Sequence, residues 1–238
     1  MTIRGDFANL ICAMVTIQDL LQAGSHIGHK KSKWNPKMAP FVFGVRNNLH
    51  IIDITKTLEK LALAIDFMIE TVRAGGTILW VGARIQTKDK IKSTAIELGM
   101  PYVSGRWIGG LFTNYKIIKE RIKYFNDLED KFNKGELSKY TKREQLSFSR
   151  QLQKLENEMG GVKNLQTLPQ AIFVTDVNEE KYAILEAKKI GIKVIGITDT
   201  SADPTLVDYP IPANNDSLAS LGLIIDTIKK ELIPLSKK

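Results

Sequence analysis

Cations, an aromatic ring and an amide alternate along residues 29–37, which read His-Lys-Lys-Ser-Lys-Trp-Asn-Pro-Lys. Lysine side chains neutralise phosphates and release their counterions, and an indole ring can stack on an unpaired base. A second stretch, Arg106-Trp107 before Gly109-Gly110, repeats this combination, and its glycines let backbone amides approach a phosphate closely. Each stretch alone fits a solvated basic face beside a core tryptophan equally well. The two together favour RNA, and DNA is disfavoured because no helix-turn-helix, zinc-finger or basic-zipper pattern is found.

The spacing of His26 and His29 could chelate a metal ion. Cys12 and His50 are the only other cysteine or histidine in the sequence, whereas a structural zinc ion needs four ligands in tetrahedral geometry. An aspartate or glutamate from elsewhere in the fold could complete such a set. We favour histidines that hydrogen-bond to backbone or to phosphate, and we therefore predict no metal and no cofactor.

Asp176 and Asp199 each follow an apolar run of strand length, the position at which α/β enzymes hold ligands. An aspartate after a strand also caps the next helix in many proteins. The best candidate for a dinucleotide-binding turn, residues 81–84, lacks the further glycines that such a turn needs, and no phosphate-binding loop or nucleophile elbow is present. We predict a protein without catalysis and keep a nucleotide-dependent α/β enzyme as an alternative.

The distribution of charge says more than its total. The chain of 238 residues has a formal net charge of +8, divided into +10 over residues 1–175 and −2 over residues 176–238. Two runs, 20–52 and 98–119, contain no acidic residue, and both basic stretches lie inside them. The sequence thus predicts one surface that approaches a polyanion, with the acidic part facing solvent or protein neighbours.

Composition limits the class of protein. A hydrophobic content of 43% is typical of a globular chain, and one cysteine cannot form a disulfide framework. No apolar stretch approaches the roughly 20 residues that cross a membrane. We expect an intracellular protein in which residues 1–15 are an N-terminal extension and residues 1–13 pack poorly.

Apolar runs and helical periodicities alternate along most of the chain. A short helix opened by Thr16 and Asp19 precedes a loop over residues 24–48, and the segments 50–53, 77–81, 102–103, 171–174 and 194–197 have the length of strands. Helices are predicted over 58–72, 88–98, 179–190 and 217–233, the last capped by Asp216. This order predicts a three-layer α/β/α fold with a mostly parallel sheet, of the flavodoxin or Rossmann-like type.

Two further helices are inserted between the halves of this pattern. Apolar residues recur every three or four positions over 118–132 and again over 148–159, and Thr141 with Glu144 forms a capping box. Their apolar stripes can be covered only by each other, which predicts a protruding coiled-coil hairpin over residues 111–159. The α/β domain then comprises 16–110 and 160–238. A protein-interaction module that acts through the hairpin is a second alternative.

Several longer motifs resemble those of one protein family. They are His26-Ile27-Gly28-His29 with Trp34-Asn35-Pro36-Lys37-Met38, Arg46 with His50-Ile51-Ile52-Asp53, Arg106-Trp107-Ile108-Gly109-Gly110 with Thr113-Asn114, Gly160-Gly161-Val162-Lys163, Leu168-Pro169, Asp199-Thr200 with Asp203-Pro204, and Ile211-Pro212 with Asn214 and Asp216. In order and spacing, from about residue 16 to 233, they resemble the S-two family of small-subunit ribosomal proteins, in its bacterial or organellar form.

The resemblance implies a structural protein of the small ribosomal subunit. Such a protein binds small-subunit rRNA between head and body, contacts neighbouring ribosomal proteins and helps to dock the S-one protein. It implies no membrane or DNA partner and no homo-oligomer, and a location on ribosomes of the bacterial cytoplasm, a mitochondrion or a plastid.

By matched position, the resemblance also implies which residues face RNA. In the first loop these are His29, Lys30, Lys33, Trp34, Asn35, Lys37 and Arg46, and before the inserted helices they are Arg106, Trp107 and Asn114. Charge and placement add Arg84 and Lys116 to this set.

Overall fold

A computed structural model describes residues 15–236. The predicted packing of the leader, residues 1–13, lies outside the described residues. The helices are α1 (Ile17–Gln22), α2 (Ile54–Arg73), α3 (Lys88–Leu98), α4 (Tyr115–Asn133), α5 (Lys142–Met159), α6 (Lys181–Lys189) and α7 (Leu218–Ser236). The strands are β1 (Ile27–Lys30), β2 (Val42–Arg46), β3 (Leu49–Ile52), β4 (Ile78–Val81), β5 (Tyr102–Val103), β6 (Ala171–Val174), β7 (Lys193–Thr198) and β8 (Tyr209–Pro212). No helix between residues 15 and 236 combines the length and apolarity needed to cross a membrane.

Five strands form a parallel sheet in the order β5-β4-β6-β7-β8. Side chains along its strands alternate between two buried clusters, as β4 shows: Leu79 and Val81 join one cluster, and Ile78 and Trp80 join the other. Helices α2, α3 and α7 cover one face, and α6 with the inserted helices contributes to the other. The predicted three-layer α/β/α fold with a parallel sheet is therefore confirmed.

Strand β8 was missing from the sequence prediction. Its residues include Pro210 and Pro212, which cannot donate to a ladder and usually argue against a strand. Proline is tolerated here because β8 lies at the edge of the sheet and pairs only with β7.

The predicted loop over residues 24–48 is also more regular than expected. It contains β1 and β2, which pair with β3 as a small antiparallel sheet in the order β1-β3-β2. Asn47 and Asn48 join β2 to β3, and both have positive φ angles, a conformation that asparagine accepts more readily than most residues. Strands of four or five residues with interspersed glycines leave too little alternation to be distinguished from a loop.

The inserted segment forms two helices joined by a short turn. Phe125 and Leu128 of α4 and Leu155 and Met159 of α5 are buried in the cluster that also covers one sheet face. The capping box of Thr141 and Glu144 opens α5 as predicted. The coiled-coil character and the projection of this hairpin stay predictions, as do the domain boundaries.

Candidate nucleic-acid interface

The carboxyl ends of the parallel strands carry many of the polar residues that the sequence singled out. Ala83 and Arg84 follow β4, Asp176 follows β6, Asp199 and Thr200 follow β7, and residues 213–216 follow β8. These segments meet at one edge of the sheet because its strands run parallel, and we call them together the carboxyl edge. The small antiparallel sheet is bonded to the same edge.

Thr200 joins the small sheet to the carboxyl edge. Its Oγ1 accepts a hydrogen bond from the backbone N–H of His29 (2.8 Å), and its carbonyl accepts one from the N–H of Asn35 (2.9 Å). Gly28 makes this approach possible, since a Cβ atom there would lie 2.7 Å from Thr200 Oγ1 and 3.0 Å from the carbonyl oxygen of His50. The first loop is therefore held in a defined position on the carboxyl edge.

His29 lies between two aspartates of the carboxyl edge. Its Nδ1 is 2.7 Å from Asp199 Oδ2, and its Nε2 is 3.5 Å from Asp216 Oδ2. Asp199 is almost fully buried, and burial raises the pKa of its carboxyl above the usual value, although the charge of His29 and the hydrogen bonds from Thr200 and His29 act in the opposite direction. His29 is thus a partner of carboxylates, and its exposed fraction is only 22%.

The chelating pair of His26 and His29 is not brought together with further ligands. Among residues 15–236, the one group of histidine, cysteine and carboxylate atoms close enough for an ion comprises His29, Asp199 and Asp216, with these atoms within 4.8 Å of one another. His26 is outside this group, and its Nδ1 is buried without a hydrogen-bond partner in the described chain.

Arg84 bridges the ends of three strands. Its guanidinium lies 2.5 Å from Asp176 Oδ2 and 2.8 Å from Asp216 Oδ1, and it donates a hydrogen bond to the carbonyl of Asn215 (3.0 Å). Burial opposes the charged form, but the two aspartates outweigh it and raise the pKa of Arg84. Asp176 also accepts hydrogen bonds from the backbone N–H groups of Asn178 (2.8 Å) and Glu179 (3.3 Å), as an aspartate that ends a strand and fastens the next turn.

Asp216 therefore does not cap α7, contrary to the sequence prediction. Its carboxylate is directed to Arg84 and His29, and Ser217 Oγ accepts the hydrogen bond from the N–H of Ser220 (3.3 Å) instead. Serine is as good an N-cap as aspartate, so the helix loses nothing by this exchange.

Glu180 is a buried carboxyl group that the sequence analysis missed. Its residue is 2% exposed, and Oε1 accepts a hydrogen bond from the backbone N–H of Ala83 (2.6 Å). Burial raises its pKa to about 7, with contributions from the nearby charges of Asp176 and Glu179, and the hydrogen bond from Ala83 opposes the rise. At the crevice between the ends of β4 and β6, where a nucleotide would lie in an enzyme of this topology, Glu180 is bonded to Ala83 and Arg84 is paired with Asp176.

The remaining predicted residues of the first loop divide into bonded and free groups. Lys37 Nζ lies 2.7 Å from Asp203 Oδ2, and the side chain of Asn35 accepts a hydrogen bond from the N–H of Lys37 (3.0 Å). Trp34 is half-buried and stacks on His50 with ring centroids 5.0 Å apart. Within residues 15–236, the exposed side chains of Lys30, Lys33 and Arg46 have no ion pair.

The second stretch is organised by Glu186 of α6. Its Oε1 accepts hydrogen bonds from Trp107 Nε1 (3.1 Å) and Gly110 N (2.8 Å), and its Oε2 accepts them from Phe112 N (3.1 Å) and Thr113 N (3.3 Å). Trp107 also packs edge-on against Phe112 at 5.1 Å between centroids. Arg106, Asn114 and Lys116 are exposed around this loop.

The sequence matches a known protein family over most of its length. Residues 20–233 match the family model described as Ribosomal protein S2. The chain belongs to this family.

Relatives in bacteria support the assignment over most of the chain. The small ribosomal subunit protein uS2 of Coprothermobacter proteolyticus is 44% identical over 221 residues, which cover 93% of this chain and 82% of the relative. The uS2 proteins of Roseiflexus sp. (43%, 89% of this chain and 80% of the relative) and Lawsonia intracellularis (42%, 90% and 73%) are similar to the same extent. Membership of the family confirms the predicted resemblance and the prediction of a ribosomal protein that is not an enzyme.

The charge partition within this S2-family chain differs from the sequence expectation. His29, Lys37 and Arg84 come from the basic part, and their partners Asp199, Asp203 and Asp216 come from the acidic part. The acidic part therefore neutralises selected cations at the carboxyl edge and does not simply face away.

Sequence reasoning missed the two glutamates that hold this region, Glu180 and Glu186. Both lie among charged residues around α6, where a carboxylate is usually solvated, so residue type alone gives no signal. The one signal for Glu186 is that the backbone N–H groups of the segment 107–113 need a hydrogen-bond acceptor. It becomes usable only when the structure shows which side chain lies beside that segment.

Proposed function

We propose that the exposed cations around the carboxyl edge hold this chain on small-subunit rRNA, between the head and body of the subunit. The coarser statement is already given by the family: the chain is a structural protein of the small ribosomal subunit. The free side chains of Lys30, Lys33 and Arg46 contact phosphates, and Arg106, Asn114 and Lys116 add contacts from the second stretch.

The observation that carries this proposal is the selective pairing of the basic residues. Lys37, His29 and Arg84 are fastened to aspartates, whereas Lys30 and Lys33 lie on a loop of fixed shape with no acid between residues 20 and 52. A rigid loop loses little conformational entropy on binding, and unpaired lysines lose no internal partner. Lys30 and Lys33 are therefore the residues from which phosphate binding gains most.

Trp34, Asn35 and Trp107 have a positioning role in this proposal. Trp34 stacks on His50, Asn35 is bonded to Thr200 and Lys37, and Trp107 is bonded to Glu186. They shape the two stretches that carry the cations, and we do not require either indole ring to stack on a base.

We also propose that the chain acts as a single copy beside other small-subunit proteins and supports docking of the S-one protein. The family resemblance supports this role. If it is correct, small subunits that lack this chain bind less S-one protein, and adding the purified chain restores the amount. Unchanged S-one content in the depleted subunits would contradict the docking role but leave rRNA binding intact.

Charge reversal in the first loop tests the rRNA contact. The double variant Lys30→Glu and Lys33→Glu is added to small subunits depleted of this protein, and co-sedimenting protein is measured. We expect at least a tenfold loss of affinity because two phosphate contacts are replaced by repulsion.

A matched control makes the same charge change elsewhere. Lys92→Glu and Lys181→Glu alter two exposed lysines on α3 and α6 that have no ion pair among the described residues. This control should bind as the wild type does. Equal binding by both double variants would overturn the proposed contact.

A further inference from the structure

A groove with four lysines lies between α4 and the segment 163–166. It has a volume of about 740 Å³. We call it the lysine groove, after Lys116, Lys119, Lys123 and Lys163 in its lining. Only Lys116 was among the residues that the sequence analysis selected.

Three of the lysines follow the axis of α4. Lys116, Lys119 and Lys123 recur at spacings of three and four, so they share one side of the helix and span about 10 Å along it. All three are exposed and have no ion pair in the part of the chain that the structure describes. A row of this length spans more than one phosphate of a nucleic-acid strand.

The opposite wall of the groove contains Lys163, whose charge is already neutralised by an ion pair. Lys163 Nζ lies 3.2 Å from Glu129 Oε1 and 5.8 Å from the ring centroid of Phe125. This pairing fixes Lys163 as part of the wall, so the available positive charge belongs to the α4 lysines.

The lining residues other than the lysines favour RNA over an acidic protein as the ligand of the groove. Asn126, Asn164 and Gln166 offer amide donors and acceptors, and Glu120 and Asp127 can accept hydrogen bonds from ribose 2′-hydroxyl groups. The ionised carboxylates of an acidic peptide are acceptors only and offer no such donor to these two side chains. Ile122 and Leu165 are the apolar residues of the lining, and both are almost fully buried, so a protein partner would find few apolar side chains to pack against.

We propose that the lysine groove binds the sugar-phosphate backbone of small-subunit rRNA as a second contact, separate from the first loop. This inference rests on the proposed function, because it assumes that the chain binds rRNA. It assigns Lys119 and Lys123 to binding and gives the base of the inserted helices an RNA-contacting role.

The test removes the three α4 charges and measures the salt dependence of binding. Lys116→Gln, Lys119→Gln and Lys123→Gln are combined in the full chain, and affinity for depleted small subunits is measured at several potassium chloride concentrations. We expect at least a tenfold loss of affinity at the lowest salt. The slope of log affinity against log salt should fall by about two, because each lost phosphate contact contributes about 0.7–0.9.

Two controls separate charge from structure. The triple variant with arginine at the same three positions keeps the charge and should keep the slope. The triple variant Lys131→Gln, Lys134→Gln and Lys142→Gln removes three exposed charges at the far end of the inserted helices and should change the slope by less than one. An equal fall in slope for the groove and far-end variants would overturn the proposal.

A photo-crosslinking residue at Gln166 identifies what occupies the groove. Covalent attachment to rRNA supports the proposal, and attachment to a ribosomal protein alone overturns it. Failure of the proposed function is distinguishable from failure of the groove proposal. If both the groove variant and the Lys30 and Lys33 variant bind normally, the proposed function is wrong. If the Lys30 and Lys33 variant loses affinity and the groove variant binds normally, only the groove proposal is refuted.

Discussion

Trp107 donates its indole N–H to Glu186 across 3.1 Å and is thereby bonded to a helix 79 residues later in the chain. The same carboxylate accepts backbone N–H groups of Gly110, Phe112 and Thr113. One side chain of α6 therefore shapes the whole segment that leads into the inserted helices. The stretch that the sequence marks as basic is therefore bonded to a carboxylate, that of Glu186.

Replacing this anion tests its role. Burial raises the pKa of Glu186, but the hydrogen bonds from Gly110, Trp107 and the neighbouring amides outweigh it, so the pKa is lower than the usual 4.5. The variant Glu186→Gln loses the charge and turns an amide donor toward other donors. We expect the free energy of unfolding at pH 7 to fall by about 2 kcal/mol.

The same variant changes the dependence on pH. A depressed pKa stabilises the fold above about pH 4.5, and this contribution is lost as the pH falls through the folded value. Urea unfolding at pH 7 and pH 4 should therefore show the difference between wild type and variant shrinking at low pH. Glu59→Gln, at an exposed carboxylate 3.5 Å from Lys60 Nζ, is the control and should cost little at either pH. A constant difference between Glu186→Gln and wild type would contradict the proposed role.

Gly28 and Gly44 offer a matched pair for the attachment of the small sheet. A Cβ atom at Gly28 would collide with Thr200 and the His50 carbonyl, whereas nothing lies within 4 Å of a Cβ atom at Gly44. Gly28→Ala should lower the free energy of unfolding by about 1–3 kcal/mol, and Gly44→Ala should leave it unchanged or slightly higher. Chemical denaturation of the two purified variants is the measurement. Equal stability would show that the close approach at Thr200 is not constrained.

The parts of the fold that follow from local pattern could be predicted from the sequence. The continuous apolar run of β4 and the capping box of α5 are local signals, and both appear where expected, as does the helix predicted over 88–98. Strand β8 could not be predicted, because its prolines are acceptable only at an edge position that the tertiary fold creates.

The pairing at the candidate site is not a local property either. Residue types identify Lys37 and Arg84 as cations and His29 as a hydrogen-bonding ring. Their partners Asp203, Asp216 and Asp199 lie 166, 132 and 170 positions away. Which cations remain free depends on how β7 and β8 bring these aspartates to the carboxyl edge. Sequence therefore indicates the binding class better than the individual binding residues.

Lys37 and Asp203 allow the cost of such a pair to be measured. Their atoms are 2.7 Å apart, but the Lys37 side chain is 56% exposed, so solvent weakens the attraction. A double-mutant cycle with Lys37→Ala and Asp203→Asn should give a coupling energy below about 1 kcal/mol. Urea unfolding of the four proteins measures it. A coupling several times larger would mean that this pair is a main attachment of the loop, and that Thr200 is secondary.

Glu180 should make the stability of the protein depend on pH near neutrality. In the unfolded chain its carboxyl group ionises near 4.5, whereas burial in the fold raises the pKa to about 7. Between these values the unfolded chain releases a proton that the folded chain keeps, so the free energy of unfolding falls as the pH rises from 4.5 to 7 and then levels off.

The variant Glu180→Gln keeps an acceptor for the Ala83 N–H but does not titrate. Its stability relative to the wild type should therefore rise across this window by at most about 3 kcal/mol. Urea unfolding at pH 4.5, 6 and 8 measures the change, with Glu59→Gln as a control that should run parallel to the wild type. Parallel curves for Glu180→Gln would show that Glu180 is ionised in the fold and that Arg84 compensates its charge.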